Sequence, residues 1–124
     1  MKPTLYLYRS CTSCRNAAAV LDDHGVEYEP REYFKEPFTR AELASVLERA
    51  GLRPSELVST RSTVWRSEKM ADQDLSEDAL FERMLGEPRL VRRPILVSDE
   101  GVEIGFKRSR YEELAQALAG HDRV

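Results

Sequence analysis

The chain has 124 residues, 41% of them hydrophobic and 33% charged, with a formal net charge of −3. That is one domain's worth of chain, able to bury a core and far from a disordered composition. The acidic balance argues against a general nucleic-acid binder, and no run approaches the roughly 20 apolar residues of a membrane span. Met1-Lys2-Pro3 leads straight into a strand-like segment, so no signal peptide is expected, and the reading is a single cytoplasmic domain over residues 1–124.

Residues 4–8 (TLYLY) are β-branched and aromatic-rich, which predicts a short buried strand. Cys11-Thr12-Ser13-Cys14 follows, then an alanine-rich run that predicts a helix stopping near Gly25. Residues 26–32 (VEYEPRE) alternate apolar and polar, a second strand that Pro30 places at an edge or bulge. The opening therefore reads as a βαβ unit whose crossover helix starts at the cysteines.

The middle reads as helical. Thr39-Arg40-Ala41-Glu42 has capping-box spacing, with Leu43, Val46, Leu47 and Ala50 on one face and Gly51 at the end. Residues 54–58 predict a short helix and residues 76–86 a longer one, with the polar stretch 67–74 as a loop between. Residues 94–97 and 102–106 predict a hairpin around Ser98-Asp99-Glu100-Gly101. A last helix begins near Ser109 and turns Tyr111, Leu114, Ala115 and Leu118 inward. The order predicts a small mixed sheet with flanking helices, and a helical insertion over about residues 39–86.

Cys11 falls where a strand hands over to a helix, so its sulfur faces unpaired backbone N–H groups. Those donors and the helix dipole favour the thiolate, with Arg15 one turn on as a further cation. Cys14, one turn later, is placed to resolve an adduct on Cys11 as a Cys11–Cys14 disulfide. Two other readings stand beside this one. The pair could be small core residues, or half of a zinc site, for which His24 and His121 are remote and lack ligand spacing. C-x-x-C within a βαβ pattern favours thioredoxin-like redox chemistry, with no metal. Arg61, in Ser59-Thr60-Arg61-Ser62-Thr63, and Arg93, before Pro94, each read as surface charges when taken alone. Lys107, Arg108 and Arg110 form a later basic cluster, and Trp65 and Phe106 read as packing residues.

Three segments together, LYLYRSCTSCRNA, STRSTVW and RRPILV followed by GFKRSRYEEL, resemble the arsenate reductase (ArsC)/Spx family over about residues 4–118. The resemblance implies a thioredoxin-like α/β fold, a mixed sheet with flanking helices and a central helical insertion. A cis-proline at Pro94 would lie against the cysteine turn and bring Arg93 beside Cys11. In the arsenate reductases the thiolate matching Cys11 attacks arsenate, and arginines matching Arg61 and Arg93 bind the oxyanion and hold the thiolate. Glutathione with glutaredoxin, or thioredoxin, is the implied electron donor, and no bound cofactor is implied. That branch usually has serine or another residue where this chain has Cys14, and a third arginine where this chain reads Glu103-Ile104-Gly105-Phe106-Lys107.

The Spx branch keeps both cysteines together with STRS and RRPI. It implies a redox-switched regulator that binds the C-terminal domain of the RNA polymerase α subunit, with a glycine that Gly51 could match at the contact. A third, YffB-like branch shares TRxTxW and GF followed by a tyrosine, and implies a glutathione-dependent thiol reductase. Two functions are therefore expected from this sequence. The first is a thiol-dependent oxidoreductase acting on arsenate or a small thiol or disulfide, with Cys11 as nucleophile, Cys14 resolving, and Arg61, Arg93 and Arg15 binding substrate. The second is an Spx-like regulator acting through RNA polymerase without gripping DNA itself.

Overall fold

The computed structural model describes residues 2–121, the last by its backbone. They fall into two compact units, residues 33–92 forming one and the flanking segments the other.

The first unit is built on a four-stranded sheet of order β2-β1-β3-β4. Strand β1 (Thr4–Leu7) is central, so its apolar run is buried on both faces. Helix α1 (Thr12–Asp23) crosses over to β2 (Glu29–Glu32), which pairs parallel with β1. Strand β3 (Ile95–Ser98) pairs antiparallel with β1, and β4 (Gly101–Ile104) pairs antiparallel with β3. This is the mixed α/β sheet expected. Pro30 sits on the edge strand, where its missing N–H removes no ladder bond from the sheet centre.

Strand β2 is shorter than the alternation suggests, and the reason lies in the end of α1. Gly25 adopts φ 71° and its N–H donates to Asp22, while the Val26 N–H turns back to Leu21. That closes the helix with a left-handed cap and commits Val26 to the core instead of the sheet. Helix α6 (Arg108–His121) packs against α1, and its Tyr111, Leu114, Ala115 and Leu118 join Cys14, Ala17 and Leu21 in one core. The hairpin turn is tighter than the expected four residues, because Ser98 and Gly101 already pair and only Asp99 and Glu100 turn the chain.

The second unit carries α2 (Arg40–Ala50), α3 (Pro54–Leu57), α4 (Thr63–Ser67) and α5 (Glu77–Gly86). Both halves of the Thr39–Glu42 capping box are made, and Gly51 closes α2 at φ 68°. The stretch read as a loop from 67 to 74 instead contains the end of α4 and a 3₁₀ turn at Met70–Asp72. Met70 is buried and anchors that turn, a single apolar contact that a polar window hides.

Candidate active site

The turn between β1 and α1 is short. The Cys11 N–H donates to the Tyr8 carbonyl at 2.9 Å, and the Cys11 carbonyl accepts from Arg15 N–H at 3.0 Å, so Cys11 is the N-cap of α1. Its backbone is extended (φ −85°, ψ 124°), the usual conformation of an N-cap, and the Cys14 backbone N–H in the first turn of α1 bonds to its sulfur. Cys14 lies on the buried face of α1 and is 0% exposed, whereas Cys11 is half-buried.

The two thiols are pushed in opposite directions. Burial drives Cys11 up, but the backbone N–H and thiol of Cys14 and the guanidinium of Arg93 outweigh it and hold Cys11 below its ordinary value. Burial pushes Cys14 up to about 12; the Tyr8 N–H works against this, while the hydrogen bond to Cys11 and that sulfur's charge add to it. The outer sulfur thus gives up its proton more readily than the inner one. That is the polarity a nucleophile and a resolving thiol need.

Arg93 reaches the site through the Arg93–Pro94 peptide bond, which is cis. Its Cζ lies 5.8 Å from the centre of the Tyr8 ring, a cation–π contact that helps fix the guanidinium. The Pro94 carbonyl accepts from Gly105 N–H at 2.8 Å, and Gly105 takes φ 80° to leave the end of β4. Of the residues singled out in the sequence, the structure therefore brings together Cys11, Cys14, Arg93 and Pro94.

Arg15 is exposed and its Nη2 donates to Thr12 Oγ1 at 3.4 Å. Arg61 belongs to the second unit, exposed in the turn before α4, where its carbonyl accepts from Arg66. In the basic cluster, Arg108 lies over the Phe106 ring and Arg110 pairs with Glu103 and Glu113. His24 Nδ1 meets the Val20 carbonyl, and the His121 side chain lies outside the described residues. Among the described residues no cluster of three or more His, Cys, Asp or Glu side chains could hold a metal, and no helix is long and apolar enough to cross a membrane.

Tyr8 is a site residue to which the sequence reading assigns no role, although it lies within LYLYRSCTSCRNA. Its N–H donates to Cys14 Sγ at 3.4 Å, its carbonyl caps Cys11, and its ring carries Arg93. Two of those three contributions are backbone, so residue type is a weak signal for them. Its position directly after β1, three residues before Cys11, is the clue.

The model of the ArsC family matches residues 6–114. The chain belongs to the ArsC family. Among its relatives, the global transcriptional regulator Spx of Listeria innocua is 35% identical over 103 residues, covering 83% of this chain and 79% of Spx. The regulatory protein MgsR of Bacillus subtilis is 31% identical over 118 residues, 95% of this chain and 94% of MgsR. The crystal structure of a "possible arsenate reductase" from Streptococcus mutans superposes with a TM-score of 0.78 at 31% identity, covering 90% of this chain and 96% of that one. The fold is thus the thioredoxin-like one of the ArsC family, and the family's matched span runs from β1 into α6.

Proposed function

We propose that this ArsC-family protein is a thiol-dependent oxidoreductase in which Cys11 attacks and Cys14 resolves. One observation carries the reading: the half-buried N-cap thiol is held down by Arg93 and Cys14 while its buried neighbour is pushed up. With a disulfide substrate, the Cys11 thiolate bonds to one sulfur and the other leaves as a thiolate. With arsenate, it displaces one hydroxyl, which takes up a proton from solvent and leaves as water, and forms a sulfur–arsenic(V) adduct. Cys14 then loses its proton and attacks Cys11 Sγ. The bond from Cys11 to the substrate breaks, the electron pair stays with the departing thiolate or arsenic(III), and the Cys11–Cys14 disulfide remains. An external thiol system, glutathione with glutaredoxin or thioredoxin, returns the two electrons. The Arg93 fork suits an oxyanion.

A second reading is favoured by the relatives, since Spx and MgsR are regulators. In it the same disulfide is a signal, and the partner is the C-terminal domain of the RNA polymerase α subunit. One assay separates the two. Reduced protein is given arsenate, glutathione, glutaredoxin and NADPH, with Cys11→Ser alongside. NADPH consumption that falls to background in the variant supports the reductase. No turnover, with retention on the immobilised polymerase domain that follows the Cys11–Cys14 redox state, carries the regulator instead. Absence of both sinks both.

A further inference from the structure

The core beneath the cysteine turn contains an oxygen that the fold itself does not use. Tyr111, in the first turn of α6, is 0% exposed and its ring is tilted against Phe106 with centroids 5.2 Å apart. Its hydroxyl is buried, and among the described residues it has no hydrogen-bond partner. Buried hydroxyls are nearly always bonded, and one left unbonded costs more than the same ring without its oxygen. Phenylalanine would fill this place without that cost, so the oxygen calls for a use in another state of the protein.

Two groups lie close enough that their charged forms act on it. Glu103 on β4 already has a partner, the Arg110 Nε at 3.2 Å. Cys14 is the other, and it shares the Tyr111 core cluster. Burial pushes the Tyr111 hydroxyl up, so it keeps its proton and stays a donor throughout the neutral range. In the resting protein Cys14 is a neutral thiol and needs no second donor beyond the Tyr8 N–H. During resolution its sulfur becomes a thiolate inside an apolar core, where an extra donor has its largest effect.

We propose that Tyr111 is a positioning residue for the resolving cysteine, its hydroxyl donating to Cys14 Sγ while that sulfur carries charge. The inference rests on the two-cysteine reading above. In the step concerned, Cys14 releases its proton and attacks Cys11 Sγ of a mixed disulfide. The Cys11–Cys14 bond forms as the bond to the bound thiol breaks, and that thiol leaves as a thiolate with the electron pair.

The test uses 5,5′-dithiobis(2-nitrobenzoate) on the reduced full chain, followed by stopped-flow absorbance. Attack by Cys11 releases a first nitrothiobenzoate, and attack by Cys14 releases the second. In Tyr111→Phe the first phase is expected to stay within about twofold of wild type. The second is expected to slow roughly ten- to a hundredfold, the weight of a hydrogen bond to a charged group. Site-specific 3-fluorotyrosine at position 111, a stronger donor of nearly the same shape, is expected to give a second phase at least as fast as wild type. A second phase unchanged in Tyr111→Phe, or slowed as much by fluorotyrosine as by phenylalanine, overturns the proposal alone. A wild-type protein with no second phase, or one that persists in Cys14→Ser, overturns the two-cysteine reading and this proposal together.

Discussion

Burial alone would make Cys11 a poor nucleophile, since desolvation disfavours the thiolate over the thiol. What reverses this is local: the Cys14 N–H and thiol, and the Arg93 charge, all directed at one sulfur. The sign of the pH dependence follows. Cys11 is an acid held below its ordinary value, so its thiolate is present above that lowered value and is lost as pH falls through it. The rate of iodoacetamide reaction at Cys11 should therefore reach half its plateau below the roughly 8.5 of a free thiol. Arg93→Gln keeps polar contact but removes the charge, and should move that midpoint up. Reactivity at pH 7 should then fall, by up to roughly tenfold for each unit that the midpoint rises above 7. A profile that does not move in Arg93→Gln would mean the guanidinium has no hold on the thiolate. Cys11 and Cys14 are legible in the sequence because C-x-x-C at a strand-to-helix junction has a physical meaning. Arg93 becomes legible only through the proline after it. Tyr8 does not, because a backbone N–H and carbonyl carry no residue-type signal.

At the scale of elements, periodicity serves the long helices and fails the short ones. Helix α2 announces itself by a capping box, an apolar face and a left-handed glycine. Helix α4 has five residues, too few for a period to show, so STRSTVW reads as a motif with no element of its own. What starts it is Ser62, a buried N-cap whose Oγ accepts from the Val64 N–H at 3.2 Å. Ser62 also follows Arg61 directly, so the cap sets where the turn bearing that arginine ends. A helix this short has little cooperativity of its own and depends on its cap and on packing of Val64. Ser62→Ala should therefore cost about 1 kcal/mol, read as a lower urea midpoint at unchanged slope. An unchanged midpoint would mean that packing alone holds α4.

For the molecule as a whole, the sheet register determines where the chain can be interrupted. Strand β2 runs parallel to β1 and pairs Glu32 with Leu7, while β3 runs antiparallel and pairs Ile95 with Tyr6. The exit after β2 and the return into β3 thus lie at the same end of the sheet as the turn bearing Cys11. A long insertion can leave and re-enter there without crossing the sheet, and the return passes through Arg93 and cis-Pro94. Composition could not show this, since it depends on which strands neighbour β1. Within the inserted unit, the two ends are tied to each other. Tyr33, its first residue, donates its hydroxyl to the Val91 carbonyl at 2.9 Å in a buried hydrogen bond. Val91 bridges Val58, with Ser59 N–H donating to Leu90 and Arg92 N–H to Leu57. The segment that precedes Arg93 is therefore held by Tyr33 and by the bridged residues 57–59. Tyr33→Phe keeps the ring and its contacts with Phe34 and Phe38 but removes the donor from a buried carbonyl. The expected cost is about 1–3 kcal/mol in equilibrium unfolding. Hydrogen exchange should also quicken at the Ser59 and Arg92 amides, because the ladder they close loses one of its two supports. If stability falls while those amides keep wild-type protection, the hydrogen bond stabilises the unit without bracing the ladder, and the ends of the insertion are held by the ladder alone.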